Sequence, residues 1–232
     1  VVIPSYNVEK FLNQTLDSFI CDEAVMKKFE VIVVDDGSKD NTAKIGKEYA
    51  DKYPDTFRVI SKENGGHGST INCGIRNAVG KYFKVVDGDD WVNTADFVKL
   101  VEDLEKTESE YVFTNYNEYY DDVNRQKAVD FPQFKDGTEY DFADVANKVY
   151  IPMHALVIKT SVLKDNNIVI DEKCFYVDVE YVMFPVPFVN KVTFFDLHVY
   201  MYRLALSTQS VSILGFQKHI NDHLRVTFHM FD

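Results

Sequence analysis

Val85-Val86-Asp87-Gly88-Asp89-Asp90-Trp91 sets three carboxylates directly after an apolar run, Tyr82-Phe83-Lys84-Val85-Val86, that reads as a buried strand. A strand end is rigid, so acids just beyond it are held in fixed positions. Clustered carboxylates repel one another, and a bound divalent cation relieves that repulsion. Magnesium or manganese suits an all-oxygen ligand set, and magnesium usually shares its shell with substrate phosphates. The motif therefore points to a metal-bound phosphorylated substrate. The plainer reading is a turn at Asp87-Gly88, with Asp90 or Asn93 capping the next helix.

Outward from this stretch, strands and helices alternate at short intervals. Val1–Ile3 reads as a strand and Val8–Phe19 as an amphipathic helix. Phe29–Val34 is a second strand, ending at Asp35-Asp36-Gly37-Ser38, and Asp40 or Asn41 caps a helix through Tyr53. Phe57–Ile60 is a third strand, and Gly65-Gly66-His67-Gly68 leads into helix Ser69–Ala78. After the acidic motif come a helix from Thr94 to Lys106 and a strand at Tyr111–Thr114. This alternation predicts an α/β fold with a mostly parallel sheet flanked by helices, where ligands bind beyond the carboxyl ends of strands. Asp35-Asp36, the glycine-rich loop and Asp87-Asp89-Asp90 should then share one rim.

The second half is less regular and more aromatic. Tyr116 to Tyr140 reads as loops with short strands, Phe142–Tyr150 as a helix and His154–Lys159 as a strand. Thr193–Phe195 and His198–Tyr202 read as a β-pair around Asp196-Leu197, and a final helix is expected from Leu214. With no repeat or linker, a single domain spanning 1–232 is expected.

Composition excludes several classes. A net charge of −12 over 232 residues argues against a broad nucleic-acid or anionic-membrane footprint. It leaves room for a small anion, because a metal and backbone N–H groups supply local positive potential. Cys21, Cys73 and Cys174 form no C-x-x-C pair, which fits a reducing cytoplasm. No apolar run approaches the ~20 residues that span a bilayer, and no signal peptide is seen. The chain starts within a strand pattern and stops within a helical one (Phe216 to Phe231), so residues beyond either end are expected.

Several stretches, taken in order, carry a resemblance. They are Val2-Ile3-Pro4-Ser5-Tyr6-Asn7, Glu30 to Thr42 with Asp35-Asp36-Gly37-Ser38, Asn64-Gly65-Gly66, Asn72-Cys73-Gly74-Ile75, and Gly80-Lys81-Tyr82 running into Asp87-Gly88-Asp89-Asp90-Trp91. Late in the chain stand Tyr176-Val177-Asp178, Tyr202-Arg203 and Gln209-Ser210-Val211-Ser212. Together they resemble the family 2 inverting glycosyltransferases of GT-A fold, in their non-processive bacterial form.

That resemblance implies a nucleotide-sugar half at 1–115 and an acceptor half at 116–232. Pro4, Ser5, Tyr6 and Asn7 would lie beside the nucleotide base, with Asp35 and Asp36 contacting the base region. Gly65 would lie at the nucleotide, Asp87 near the ribose, and Asp89 would ligate Mn²⁺ or Mg²⁺. Asp178 would be the base that deprotonates an acceptor hydroxyl; helix N-capping is its plainer role. Arg203 would reach the diphosphate or acceptor, or else form a structural ion pair.

The expected donor is a UDP-sugar, and the acceptor a cell-surface glycan or lipid-linked hydroxyl. The setting would be cytoplasmic, at the inner membrane face if peripherally attached. The processive Gln-x-x-Arg-Trp motif is absent, Trp91 being the only tryptophan, which favours transfer of one residue.

Two departures stand out. The family writes Glu-Asp where this chain has Val177-Asp178, and Glu180, two residues on, should point away on a helix. The loop carries more glycines than usual and His67, which either reaches the sugar or diphosphate or is an ordinary surface histidine. His154 and His198 are expected to be structural rather than metal ligands. Alternatives are a nucleotidyltransferase, which would want a basic glycine-rich loop that Val1 to Lys10 lacks, and a non-catalytic nucleotide-sugar or glycan-binding module.

Overall fold

Strand β1 (Val2–Ser5) pairs in parallel with β2 (Val31–Asp35), and β2 with β3 (Phe57–Ser61), in a computed structural model that describes residues 1–204 and 213–231. Every residue of β1 and β2 is buried, which accounts for their continuous apolar sequence. Their side chains alternate between two cores. Ile3, Val31 and Val33 pack on one side with Leu12, Leu16 and Phe97, while Val2, Ile32 and Val34 pack on the other with Ile71 and Ile75. The surrounding helices are α1 (Leu12–Asp17), α2 (Glu23–Met26), α3 (Thr42–Lys52) and α4 (His67–Asn77).

After β4 (Tyr82–Phe83) the chain runs beside β1. Val2 N–H donates to Lys84 O at 2.9 Å, Val86 N–H to Val2 O at 3.0 Å and Gly88 N–H to Pro4 O at 3.1 Å. Those bonds join the first sheet to a second. The second sheet contains β4, β5 (Trp91–Val92), β6 (Tyr111–Tyr120), β7 (Arg125–Val129), β8 (Thr138–Asp141), β9 (Leu156–Lys159) and β10 (Lys191–Leu204). Its order is β4-β9-β6-β10-β5, with β7 on β6 and β8 on β10. Helices α5 (Thr94–Leu104), α6 (Phe142–Val145), α7 (Thr160–Asp165), α8 (Asp178–Met183), α9 (Ile213–Lys218) and α10 (Ile220–His229) complete the described chain. Asn93 caps α5 through its side-chain oxygen, not Asp90. No helix among the described residues is long and apolar enough to cross a membrane.

The first sheet is parallel throughout, as expected for an α/β fold, and the second is mixed. Only β10–β6 is parallel among the strand pairs of the second sheet, and the rest are antiparallel. The expected β-pair around Asp196-Leu197 is one fourteen-residue strand with register shifts between Phe195 and His198 and again between His198 and Tyr200. A polar residue interrupting an apolar run signals a turn in sequence. Here Asp196 sits at a bulge, its carboxylate held by Asn115 Nδ2 at 2.6 Å. Helix α4 begins at His67, two residues earlier than expected, and α1 and α6 are shorter than their apolar periodicity suggests.

Candidate active site

The strand ends meet around a cleft of about 570 Å³ bounded by Pro4 and Tyr6, His67, Asp87 to Asp90, His154, Tyr176 to Val179, Tyr202, Phe216 and His223. Among the bonds that set the acidic motif, three come from the Tyr200 hydroxyl and the Arg203 backbone. Tyr200 OH donates to Asp90 Oδ2 at 2.6 Å and accepts from Asp87 N–H at 3.2 Å, and Arg203 N–H donates to Asp90 Oδ1 at 2.7 Å. Asp90 is thus an internal anchor, with burial and its neighbouring acids pushing its carboxyl well up. Gly88 has no room for a side chain: a Cβ there would meet Val8 Cγ2 at 2.9 Å and Pro4 O at 3.0 Å.

Asp87 and Asp89 differ in environment although one glycine separates them. Asp87 Oδ1 lies 2.8 Å from His67 Nε2. Burial disfavours the Asp87 carboxylate, but the His67 charge and hydrogen bond outweigh it and hold the group below its usual range. Burial likewise opposes the imidazolium, yet Asp87, with Asp178 and Asp89 further off, raises His67 above its ordinary value. The Asp89 carboxylate receives no hydrogen bond from another described residue; burial and then Asp87 push it up to about 6.

Across the cleft, Asp178 is the first residue of α8. Val177 occupies the cap position, with no side-chain capping bond, so Asp178 is not the N-cap. Burial raises its carboxyl, against the opposing charge of His67. His67 thus feels the charges of Asp87, Asp178 and Asp89, three of the four carboxylates that line the cleft.

Other expected site residues are engaged inside the fold. Asp36 is 2% exposed and clamps the glycine-rich loop, accepting from Lys62 Nζ at 2.7 Å, Gly65 N–H at 2.9 Å and Gly66 N–H at 2.8 Å. Gly65 also uses its carbonyl, which accepts Lys173 N–H at 2.6 Å. Asp35 accepts Ser38 N–H at 3.0 Å, and Ser5 Oγ donates to Ile3 O at 3.1 Å. Asn7, at φ 54, joins the first two strand ends through Ser38 Oγ and Lys39 N–H.

Arg203 is buried, donating through Nε to Asp89 O at 2.8 Å and through NH2 to Gln14 Oε1 at 2.6 Å, and pairing with Asp121. Its guanidinium also lies over Trp91 and Phe11. Of the two roles open to Arg203, the ion pair is the one its contacts display. The Gln209 to Ser212 motif lies outside the described residues.

Two contributors, Tyr200 and Lys84, escaped the sequence reading, which weighs His154 only as a structural histidine. Tyr200 bridges the two ends of the acidic motif, as described above. Lys84 is buried, with Nζ 2.9 Å from His154 O, and burial lowers it to about 7. His154 is held between the rings of Tyr116, Tyr200 and Tyr202, and burial brings it down to about 4, a neutral imidazole in the cleft wall. A lysine inside an apolar strand was the one visible signal among them. His198 lies apart, paired with Asp130 at 2.7 Å.

Solved structures share this architecture. TarS residues 1–349 from S. aureus, in complex with UDP-GlcNAc, superposes with TM-score 0.77 at 21% identity over 97% of this chain and 64% of that one. The mannosyltransferase PcManGT from Pyrobaculum calidifontis, in complex with GDP-Man and Mn²⁺, gives 0.68 at 17% identity, covering 98% and 63%. The fold is therefore that of the GT-A glycosyltransferases.

Among curated relatives, EpsJ of Bacillus subtilis, described as an uncharacterized glycosyltransferase, is 38% identical over 112 residues, 48% of this chain. GgaB of the same organism, a minor teichoic acid biosynthesis protein, is 34% identical over 110 residues, 47% of this chain. The matched stretches make up only 32% and 12% of those relatives' lengths. The family model for glycosyl transferase family 2 matches residues 1–166, which contain both the glycine-rich loop and the acidic motif, and the chain belongs to that family.

Proposed function

We propose that the cleft moves a single sugar from a UDP-sugar to a hydroxyl of a cell-surface glycan or lipid-linked acceptor, with inversion at the anomeric carbon. The observation that carries this reading is the pair of unlike carboxylates in one cleft: Asp89, whose carboxylate accepts no hydrogen bond from another described residue, beside Asp87, and Asp178 at the start of α8. A carboxylate without such a bond, and pushed up by a neighbouring acid, fits a divalent cation. When bound, Mn²⁺ or Mg²⁺ neutralises charge on the leaving diphosphate. Asp89 would hold it, while Asp87 is steadied by His67.

Asp178 takes the acceptor proton as the hydroxyl attacks, a role that needs an ionised carboxylate protected from bulk water. Pro4 and Tyr6 form the wall where the nucleotide enters. The complexes of TarS with UDP-GlcNAc and of PcManGT with GDP-Man and Mn²⁺ support a nucleotide-sugar and a divalent ion. The GgaB name supports a wall-polymer acceptor.

A donor screen tests this. With Mg²⁺ or Mn²⁺ and a panel of nucleotide-sugars, release of a nucleoside diphosphate is expected, strongest with a UDP-sugar and lost with EDTA. Release of pyrophosphate from nucleoside triphosphate and sugar phosphate would instead mark a nucleotidyltransferase. Tight binding without turnover on any acceptor would mark a binding module.

A further inference from the structure

Glu180 is fully buried, yet its side chain turns away from the cleft that Asp178, two residues earlier, faces. Its two oxygens hold different parts of the chain. Oε2 accepts Asp171 N–H at 2.7 Å, and Oε1 lies 3.3 Å from His229 Nδ1 on α10. The Asp171 carboxylate meets His229 Nδ1 at 3.4 Å and Arg225 Nε at 2.8 Å. The two acids thus share His229 of α10, and Asp171 also pairs with Arg225 of the same helix.

The segment gripped in this way, 170–174, is bonded on its other side to α4 and the glycine-rich loop before it. Asn72 exchanges two hydrogen bonds with Ile170, at 2.8 and 2.9 Å, and Lys173 N–H donates to Gly65 O at 2.6 Å. The glycines of the loop serve this contact. A Cβ on Gly68 would stand 2.0 Å from Asp171 O, and Gly66, at φ 84, backs onto Lys173. From there the chain turns into α8 through two residues in the left-handed region, Lys173 (φ 53) and Tyr176 (φ 64). Such conformations cost on the order of 1–3 kcal/mol each and persist only where their surroundings enforce them.

Helix α8 has six residues and no side-chain cap, so its own bonds do not fix where Asp178 points. We propose that Glu180 is a positioning residue: by locking segment 170–174 and α10 onto α8, it fixes Asp178 relative to the glycine-rich loop and to His67 at the start of α4. A purely space-filling role at a fully buried position favours an apolar side chain, because burying a carboxylate is costly unless its bonds are needed. The proposal rests on Asp178 being the base.

The test compares Mn²⁺-UDP binding with turnover of the donor selected in the screen. Glu180→Ala is expected to leave the UDP Kd within about twofold and to lower kcat ~10–100-fold per UDP-binding site, the scale of a base misplaced by about 1 Å. Glu180→Gln, which keeps an acceptor for Asp171 N–H, should recover most of that loss. Unchanged turnover in Glu180→Ala, or a fall in UDP affinity that matches the fall in turnover, would overturn the proposal. If Glu180→Ala fails to fold, His229→Ala on the partly exposed face of α10 replaces it, with lower kcat at unchanged UDP affinity in support and unchanged kcat against. An inactive Asp178→Asn beside a fully active Glu180→Ala would leave the base assignment standing and refute the positioning role alone.

Discussion

Asp178→Asn is expected to bind Mn²⁺-UDP as the unsubstituted protein does and to lose ~10²–10⁴-fold in kcat, the usual contribution of a general base. The substitution keeps the shape of the side chain and removes its charge and its capacity to take a proton. Val177, not Asp178, holds the cap position of α8, so the substitution does not replace the N-cap residue. The pH profile gives an independent check. Burial raises the Asp178 carboxyl above the ordinary range, and the active form is the ionised one. Turnover should therefore climb with rising pH through that raised value and fall as pH drops below it, on an acid limb above that of an exposed aspartate. The residual rate of Asp178→Asn should lack this limb. Transfer at the unsubstituted rate would remove Asp178 from the chemistry.

Asp89→Ala should abolish metal-dependent nucleotide binding, with an expected loss of about 100-fold or more in UDP affinity in Mn²⁺ and little change in EDTA. The two arms of a calorimetric titration separate a lost metal ligand from a damaged pocket, since damage would weaken binding in both. The neighbouring acids do not share this expectation. Asp87 is already paired with His67, and Asp90 is bonded to Tyr200 and to the backbone of Arg203. Placement of Asp89 at the cleft, with no hydrogen bond to its carboxylate from another described residue, is what singles it out.

Much of this was legible in the chain because strands that end in acids are local signals. The three strand ends and the acidic motif fall where apolar periodicity and turn residues place them. The resemblance to family 2 glycosyltransferases then gave a fold that the shared architecture with TarS and PcManGT bears out. What stayed hidden depends on partners distant in sequence.

Asp36 reads as a second-strand acid near a ligand, but the loop 26 to 30 residues later folds back to occupy its oxygens. The glycines of that loop read as room for a ligand, whereas two of them make room for segment 171–173, about a hundred residues on. Asp196-Leu197 looked like a turn because a bulge and a turn interrupt alternation in the same way; only pairing on both edges of β10 distinguishes them. His67 could be weighed only once Asp87 stood 2.8 Å away.

The single displacement proposed for this cleft is tested most directly by following the sugar released from an α-configured UDP-sugar by proton NMR, with Mg²⁺ and with water as acceptor. The β-anomer should appear first and mutarotate later. Initial release of the α-anomer would mean retention, and no single in-line displacement with Asp178 as base is compatible with it.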